Sequence, residues 1–305
     1  MSLVKWYYRL KPLIPRSAQL FARRIYVREK AKKHKDIWPI DERSGTPPSG
    51  WSGWPEGKRI ALILTHDVDT ERGMERCRAL AALEESLGFR SSFNFVPERY
   101  HVQADVRRYL AEKGFEVGVH DLNHDGKLYE SKKIFEERAI RINEYLEKWE
   151  SVGFRSASMH HNLEWIHKLN IKYDASTFDT DPFEPQSDGM GTIFPFWIAK
   201  DSTEEGYLEI PYTLPQDFTL FILMKEKNIE IWKKKLDWIV RQGGMALINT
   251  HPDYMNFEGK NLGPEDYPAE YYKELLEYVI STYDEQYWHV LPKELAHYWT
   301  HKAED

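Results

Sequence analysis

Ile60-Ala61-Leu62-Ile63-Leu64-Thr65-His66-Asp67-Val68-Asp69-Thr70 is the stretch that most limits what this chain can fold into. An apolar run of five, cut off by His-Asp-Val-Asp, reads as a strand buried on both faces, the kind a parallel sheet contains. Strand candidates recur at Arg59–His66, Ser91–Val96, Phe115–His120, Phe154–Met159, Tyr173–Phe178, Tyr207–Tyr212, Met245–Thr250 and Tyr287–Leu291. Helical candidates lie between them at Glu71–Leu87, Ala104–Lys113, Ser131–Trp149, Leu163–Leu169, Ile229–Arg241 and Ala269–Tyr283. Strand–helix repetition at about 25–35 residues implies βαβ units and a parallel sheet or barrel. The expected class is therefore α/β.

Two regions depart from the alternation. Residues 38–58 are rich in Pro, Gly, Ser and Trp and read as an irregular connector. Residues 181–206, with Phe183, Phe194, Phe196 and Trp197, form a segment long enough to suggest a lid or a substrate wall. The division expected is residues 1–58 as a basic arm with its connector, and residues 59–305 as the barrel.

With 41% apolar and 30% charged residues, the composition is that of a globular protein able to bury its own core. The single cysteine, Cys77, excludes a disulfide framework and a cysteine-based zinc site, and fits a reducing compartment. No run reaches the ~18 apolar residues of a membrane span. The N-terminus lacks an apolar signal core, because Lys5, Arg9, Lys11 and Arg16 interrupt it. A cytoplasmic location is expected, with membrane association as an addition. Residues 1–37 hold eleven Lys/Arg against two acidic residues, while the whole chain carries −7. That arm, with Trp6, Tyr7, Tyr8, Phe21, Ile25 and Tyr26, suits peripheral contact with an anionic membrane. A basic helix packed on an acidic body suits it equally. Nucleic acid is not expected, since the main body is acidic and carries no nucleic-acid motif.

Chemistry-bearing residues gather at the predicted strand ends, where α/β folds keep their sites. Asp67 and Asp69 end the first strand; the competing reading is an N-cap for the following helix, at Asp69 or Thr70. His120 and His124 end the third at His-x3-His spacing, which lets both rings grip one metal if the segment is helical. With an aspartate they make an Asp/His/His set that leaves an open position, the stoichiometry of catalytic zinc; two surface imidazoles are the alternative. Arg155 enters an apolar strand and needs a carboxylate partner such as Asp67, unless it lies at an edge. His160 and His161 follow, as substrate contacts or as solvent-facing caps. Asp174, Asp179 and Asp181 crowd another strand end, and spacing does not rank them. His251 closes Met245–Thr250 and has the titration range of a general acid, or else caps the loop before Pro252.

These pieces, in this order, resemble the polysaccharide deacetylase family, whose catalytic unit is the NodB-homology domain of carbohydrate esterase family 4. Thr65-His66-Asp67-Val68-Asp69 is similar to its first motif, with His66 where phenylalanine is usual. His120 and His124 match the second motif, and Ile248-Asn249-Thr250-His251 is similar to the fifth. The third is half present: Arg155 stands, but Ala157 replaces a proline. In the fourth the family's tryptophan is missing, with Phe183 or Trp197 as stand-ins. The resemblance implies a deformed (β/α) barrel with a divalent metal, zinc first, held by Asp69, His120 and His124. It further implies Asp67 as base, His251 as acid, Arg155 holding Asp67, and Asp179 or else Asp174 orienting His251. His160, His161 and Trp197 are the expected substrate contacts. The implied activity is hydrolysis of an amide on an N-acetylated saccharide or glycan precursor. A cyclic, non-sugar amide is the alternative substrate, and a non-catalytic glycan- or membrane-binding protein the alternative role. No role follows for His66 beyond extra ligand or supporting partner.

Overall fold

The computed structural model describes residues 15–201, 205–259 and 262–302, with side chains to residue 300. Residues 1–14 of the basic arm lie outside the described residues. Strand β1 (Ile60–Val68) is buried along its whole length. The reason is its neighbours. Strand β8 (Met245–Thr250) pairs with it in parallel over Ala61–His66. On the opposite edge β9 (Tyr287–His289) covers Ile60–Leu62 and β2 (Ser92–Phe95) covers Thr65–Val68. A strand enclosed in this way has no solvent face, so its sequence is continuously apolar rather than alternating.

From β2 the sheet continues in parallel through β3 (Glu116–His120), β4 (Gly153–Arg155), β5 (Tyr173–Asp174) and β7 (Gly206–Glu209). Strand β6 (Phe196–Ala199) ends it, antiparallel to β7. Parallel bridges Phe178–Tyr212 and Leu214–Ile248 carry the chain after β7 across to β8 and curl the sheet into a deformed barrel. Around it pack α2 (Glu71–Ser86), α3 (Ala104–Glu112), α4 (Lys132–Lys148), α5 (Leu163–Ile166), α6 (Glu230–Gln242), α7 (Glu270–Tyr283) and α8 (Pro292–Lys302). Helix α2 shows why they dock. Met74, Cys77, Leu80, Ala81 and Glu84 are buried at helical spacing, and Gly88 takes φ +80° just after the helix, a conformation cheap only for glycine.

The strand ends are shorter than expected on one side of the barrel. After Arg155 the chain turns at Ala157–Met159, with Ser158 at φ 56°. After Asp174 the backbone leaves the ladder because Ser176 donates its N–H and hydroxyl to the Asp174 carboxylate, at 3.2 and 2.7 Å. Elements without a counterpart in the sequence reading include a π-helical turn at Phe218–Met224, helix α8 and strand β6. The first is an apolar run, buried from Phe218 to Leu223.

Part of the segment expected as a lid is framework. Ile193 and Phe194 are fully buried, and the Met245 N–H donates to the Ile193 carbonyl at 2.8 Å. The connector is also packed rather than free. The Trp54 indole donates to the Gly243 carbonyl at 2.8 Å, and the Trp238 indole to Glu42 at 2.8 Å. Helix α1 (Arg16–Lys33) rests on the body through Leu20 and Val27. Arg24 donates to the Ile222 carbonyl at 3.0 Å and Arg16 pairs with Glu265 at 2.7 Å. Among the described residues, no helix is long and apolar enough to cross a membrane.

Gly153 is required by its neighbour. A Cβ there would stand 1.9 Å from the Tyr173 ring, and Tyr173 is held in place by donating to Glu116 at 2.8 Å. Gly153→Ala is expected to lose about 1–3 kcal/mol in urea unfolding, the usual cost of overpacking. An unchanged transition midpoint would show that Tyr173 can yield.

Candidate active site

The carboxyl ends of β1, β3, β4 and β8 bring six predicted residues together. Asp69 Oδ1 lies 3.3 Å from His120 Nε2 and 3.1 Å from His124 Nε2. All three donor atoms fall within 4.8 Å of one another. Two observations say that this cluster fits a metal. His120 Nδ1 lies 3.0 Å from the Arg155 carbonyl, which only accepts, so the ring's proton sits on Nδ1 and the Nε2 lone pair faces Asp69. Asp69 Oδ1 is itself buried without a hydrogen-bond partner. A buried carboxylate oxygen facing imidazole lone pairs is reconciled by a shared cation, and Asp/His/His leaves room for further ligands. The His-x3-His spacing works through a turn and not through a helix: Asp121 and His124 take φ 55° and 53°. Thr70 occupies the N-cap position of α2 without using its side chain as the cap. Asp253 caps from outside, accepting the Asp69 N–H at 3.0 Å and the Thr70 hydroxyl. Gly73 lets it approach, since a Cβ there would stand 2.1 Å from Asp253 Oδ2.

Asp67 is held from both oxygens. Arg155 Nη1 and Asn94 Nδ2 each donate to Oδ1 at 3.1 Å, and Asn249 Nδ2 donates to Oδ2 at 2.8 Å. Burial by itself would raise this carboxyl; nearby positive charge, on His120 whenever its ring is protonated and on Arg155 and His251, overcomes it and holds the acid well below the usual range. Arg155 is fully buried and also donates to the Ala175 carbonyl, Thr65 Oγ1 and Asn249 Oδ1, at 2.8, 2.9 and 2.7 Å. Its side chain fixes Asp67 while its carbonyl fixes His120.

His251 ends β8 one residue beyond Thr250, which pairs with His66, so it stands level with Asp67. The partner of its ring is a correction to expectation. Asp217 Oδ1 lies 2.7 Å from His251 Nδ1, and Asp217 Oδ2 accepts the His251 backbone N–H at 2.8 Å and the Tyr267 hydroxyl at 2.9 Å. Burial lowers the imidazole, but the Asp217 carboxylate, helped by Asp69 and Asp67, reverses this and raises it to about 10. Asp179, expected in that place, is instead paired with Lys235 at 2.6 Å. Asp174 is spent on its own turn at Ser176. Asp181 lies buried beside Glu184, whose carboxylate takes the Tyr212 hydroxyl at 2.7 Å and Gln216 at 2.6 Å. Asp217, Asn94, Asn249 and Asp253 were not among the sequence candidates. Gln216-Asp217 ahead of an apolar run is an N-cap signal that could have drawn attention to one of them.

The remaining expectations divide. His160 is half-buried, close enough to His124 and Asp121 to feel their charge. His161 turns away, with Nδ1 3.0 Å from the Met159 carbonyl and Nε2 3.5 Å from Asp188. Trp197 sits on the edge strand β6, opposite Leu208. His66 points away from the metal cluster into a buried network. Its Nδ1 meets Thr250 Oγ1 at 2.7 Å and its Nε2 meets Glu84 Oε1 at 2.9 Å. Ser91 and Tyr272 donate to the same Glu84 carboxylate, at 2.6 and 2.5 Å. The imidazole thus ties β1 to β8 directly behind Asp67 and His251.

Comparison with known proteins places this arrangement. No protein-family model matches the chain, and no curated protein matches it by sequence. Solved structures do. A probable polysaccharide deacetylase from Pseudomonas aeruginosa PAO1 superposes with a TM-score of 0.65 at 16% identity, covering 87% of this chain and 99% of that one. A putative polysaccharide deacetylase from Mycobacterium smegmatis gives 0.64 at 17%, covering 85% and 96%. The chain has the polysaccharide deacetylase fold. Puue allantoinase shares that fold, with a TM-score of 0.63 at 17% identity over 87% of this chain and 98% of the other.

Within this fold His66 is a structural tie and not a ligand. His66→Phe is expected to leave the Glu84 carboxylate short of a buried partner and to cost about 1–3 kcal/mol in urea unfolding. Zinc bound per chain should stay unchanged, and Glu84→Gln in the same chain should restore part of the loss. A drop in bound zinc with stability intact would reverse the assignment.

Proposed function

We propose that this chain is a metal-dependent hydrolase of amide bonds, acting on an N-acetylated saccharide or glycan precursor. One observation carries the reading: two groups of opposite task, Asp67 and His251, flank one Asp/His/His cluster, and each is held by its own buried partner. Asp69, His120 and His124 would hold the metal, zinc being the ion that this donor set suits best. When bound, it supplies Lewis-acid polarisation of the amide carbonyl and of the attacking water.

The chain's own residues do the rest. Asp67, kept ionised by Arg155, Asn94 and Asn249, takes a proton from the water. His251 carries its proton at neutral pH because Asp217 stabilises the imidazolium. With Nδ1 facing Asp217, the proton delivered to the departing amine is the one on Nε2. Base and acid are thus set by opposite partners, an arrangement that keeps one ionised and the other protonated at the same pH. The products would be acetate and a free amine. Membership of the polysaccharide deacetylase family is part of the proposal, resting on the shared fold and the motif residues. A cyclic, non-sugar amide is a second reading, favoured by the allantoinase among the similar structures.

The test is acetate release from N-acetylated oligosaccharides, set beside ring opening of ureides, by zinc-loaded protein. Activity untouched by a chelator, or present in neither assay, would refute the reading. Asp67→Asn and His251→Ala are each expected to lower kcat by about 10²–10⁴, the usual weight of a positioned acid or base. The pH profile has a direction of its own. Asp67 stays ionised well below neutrality, so the acid limb lies low, while activity falls as pH rises through the His251 value of about 10. Asp217→Asn removes the charge that raises His251. It should therefore move the alkaline limb down by about 1–3 pH units.

A further inference from the structure

Helix α1 has two apolar lines, and only one of them is covered by the described residues. Leu20, Arg24, Val27 and Ala31, at i, i+4, i+7 and i+11, face the body, and Leu20 and Val27 are each 2% exposed. On a different side of the helix, Phe21, Ile25, Arg28 and Lys32 repeat the same spacing outward. There Phe21 is 65% exposed and Ile25 48%. Tyr26, 56% exposed, flanks the line with the Lys30 ammonium 5.2 Å over its ring.

We propose that this outward face of α1 is a docking surface for an anionic phospholipid bilayer. Charge is the first argument. Helix α1 carries seven Lys/Arg against one Glu, in a chain whose total is −7, so the rest of the molecule is strongly acidic. An anionic surface repels that body and attracts this helix, which sets the orientation of approach. The inward cations are engaged on the body: Arg16 on Glu265, Arg24 on the Ile222 and Pro264 carbonyls, Arg23 over the Phe218 ring at 4.8 Å. Arg28, Lys32 and Lys33 are exposed.

Size is the second argument. Three exposed side chains fall short of the ~800 Å² per partner of a stable protein interface. A bilayer asks less: shallow burial of a few rings, plus attraction summed over several cations.

The face is also placed to matter. Phe218, under Arg23, packs on Tyr254 at 4.9 Å between ring centres, and Tyr254 on His251 at 5.4 Å. Docking through α1 therefore sets the His251 side of the barrel mouth beside the lipid, where an amide on a lipid anchor would be presented. That last step rests on the hydrolase reading; the docking itself does not.

The test is co-sedimentation of the full chain with vesicles of phosphatidylcholine alone, or of phosphatidylcholine mixed with phosphatidylglycerol. Binding is expected only to the mixed vesicles, weakening as salt is added. Arg28→Gln/Lys32→Gln/Lys33→Gln should lower the partition coefficient about a hundred-fold, roughly five-fold per charge. Phe21→Ser/Ile25→Ser should lower it too. All five positions are exposed, so melting temperature and zinc content should stay unchanged and report that the variants fold. Equal binding to neutral vesicles, no binding, or binding unaltered in both variants would overturn the proposal. So would a dimer in light scattering that the Phe21→Ser/Ile25→Ser variant dissolves without any vesicle binding, which would give the face to a second copy of the chain.

Discussion

The interaction on which the rest depends is the buried pair of Arg155 and Asp67. A guanidinium with no solvent contact must find its partners within the barrel, and Arg155, on β4, finds them on three other strands or their extensions: Asp67 and Thr65 on β1, Asn249 on β8, and the Ala175 carbonyl after β5. Burying such a pair does not by itself stabilise a fold, because desolvation offsets most of the attraction. Its effect is positional. Removing either partner would strand a charge at a cost of about 3–5 kcal/mol, so the strands cannot slide without breaking the pair. The Arg155 carbonyl adds the second half by fixing the His120 tautomer. One residue thereby couples Asp67 to the cluster of Asp69, His120 and His124.

His251 is anchored by a separate device. Asp217 stands just ahead of the π-helical turn and takes its first N–H at 2.7 Å, while its carboxylate also receives the His251 ring and backbone. Between the two devices lies the His66–Glu84–Tyr272 network, which locks β1 and β8 in register where a phenylalanine would only pack. The site is thus a polar layer laid on an apolar barrel, and nearly every carboxylate in it has a named donor. Asp69 Oδ1 is the exception. The same economy accounts for a fold shared at 16–17% identity: buried strands and a few strand-end residues specify it, and most of the surface does not.

By itself the sequence determined the parallel α/β architecture, the order of its eight main strands and the strand-end residues that meet. Those were legible because a strand enclosed by neighbours must be apolar, and because the polar residue that interrupts it marks its end. Asp67, Asp69, His120 and His251 carry that mark; His124 was legible from its spacing to His120, and Arg155, read at the start of a strand, from its need for a carboxylate. What only the tertiary structure decided were the partners reached across the fold. Asp217 and Asp179 are both acids near a strand end, and nothing local tells which one faces His251. The packing of α6 answers it, because Lys235 claims Asp179 and leaves Asp217 for the imidazole. The role of His66 was hidden for the same reason: Glu84 falls on the apolar face of α2 by spacing, but its charge reads as solvent-facing, and its partners appear only once α2 is laid against β1. Distances along the chain of 18 to 184 residues separate His66 from its partners, and no periodicity in a linear sequence records a hydrogen bond of that span.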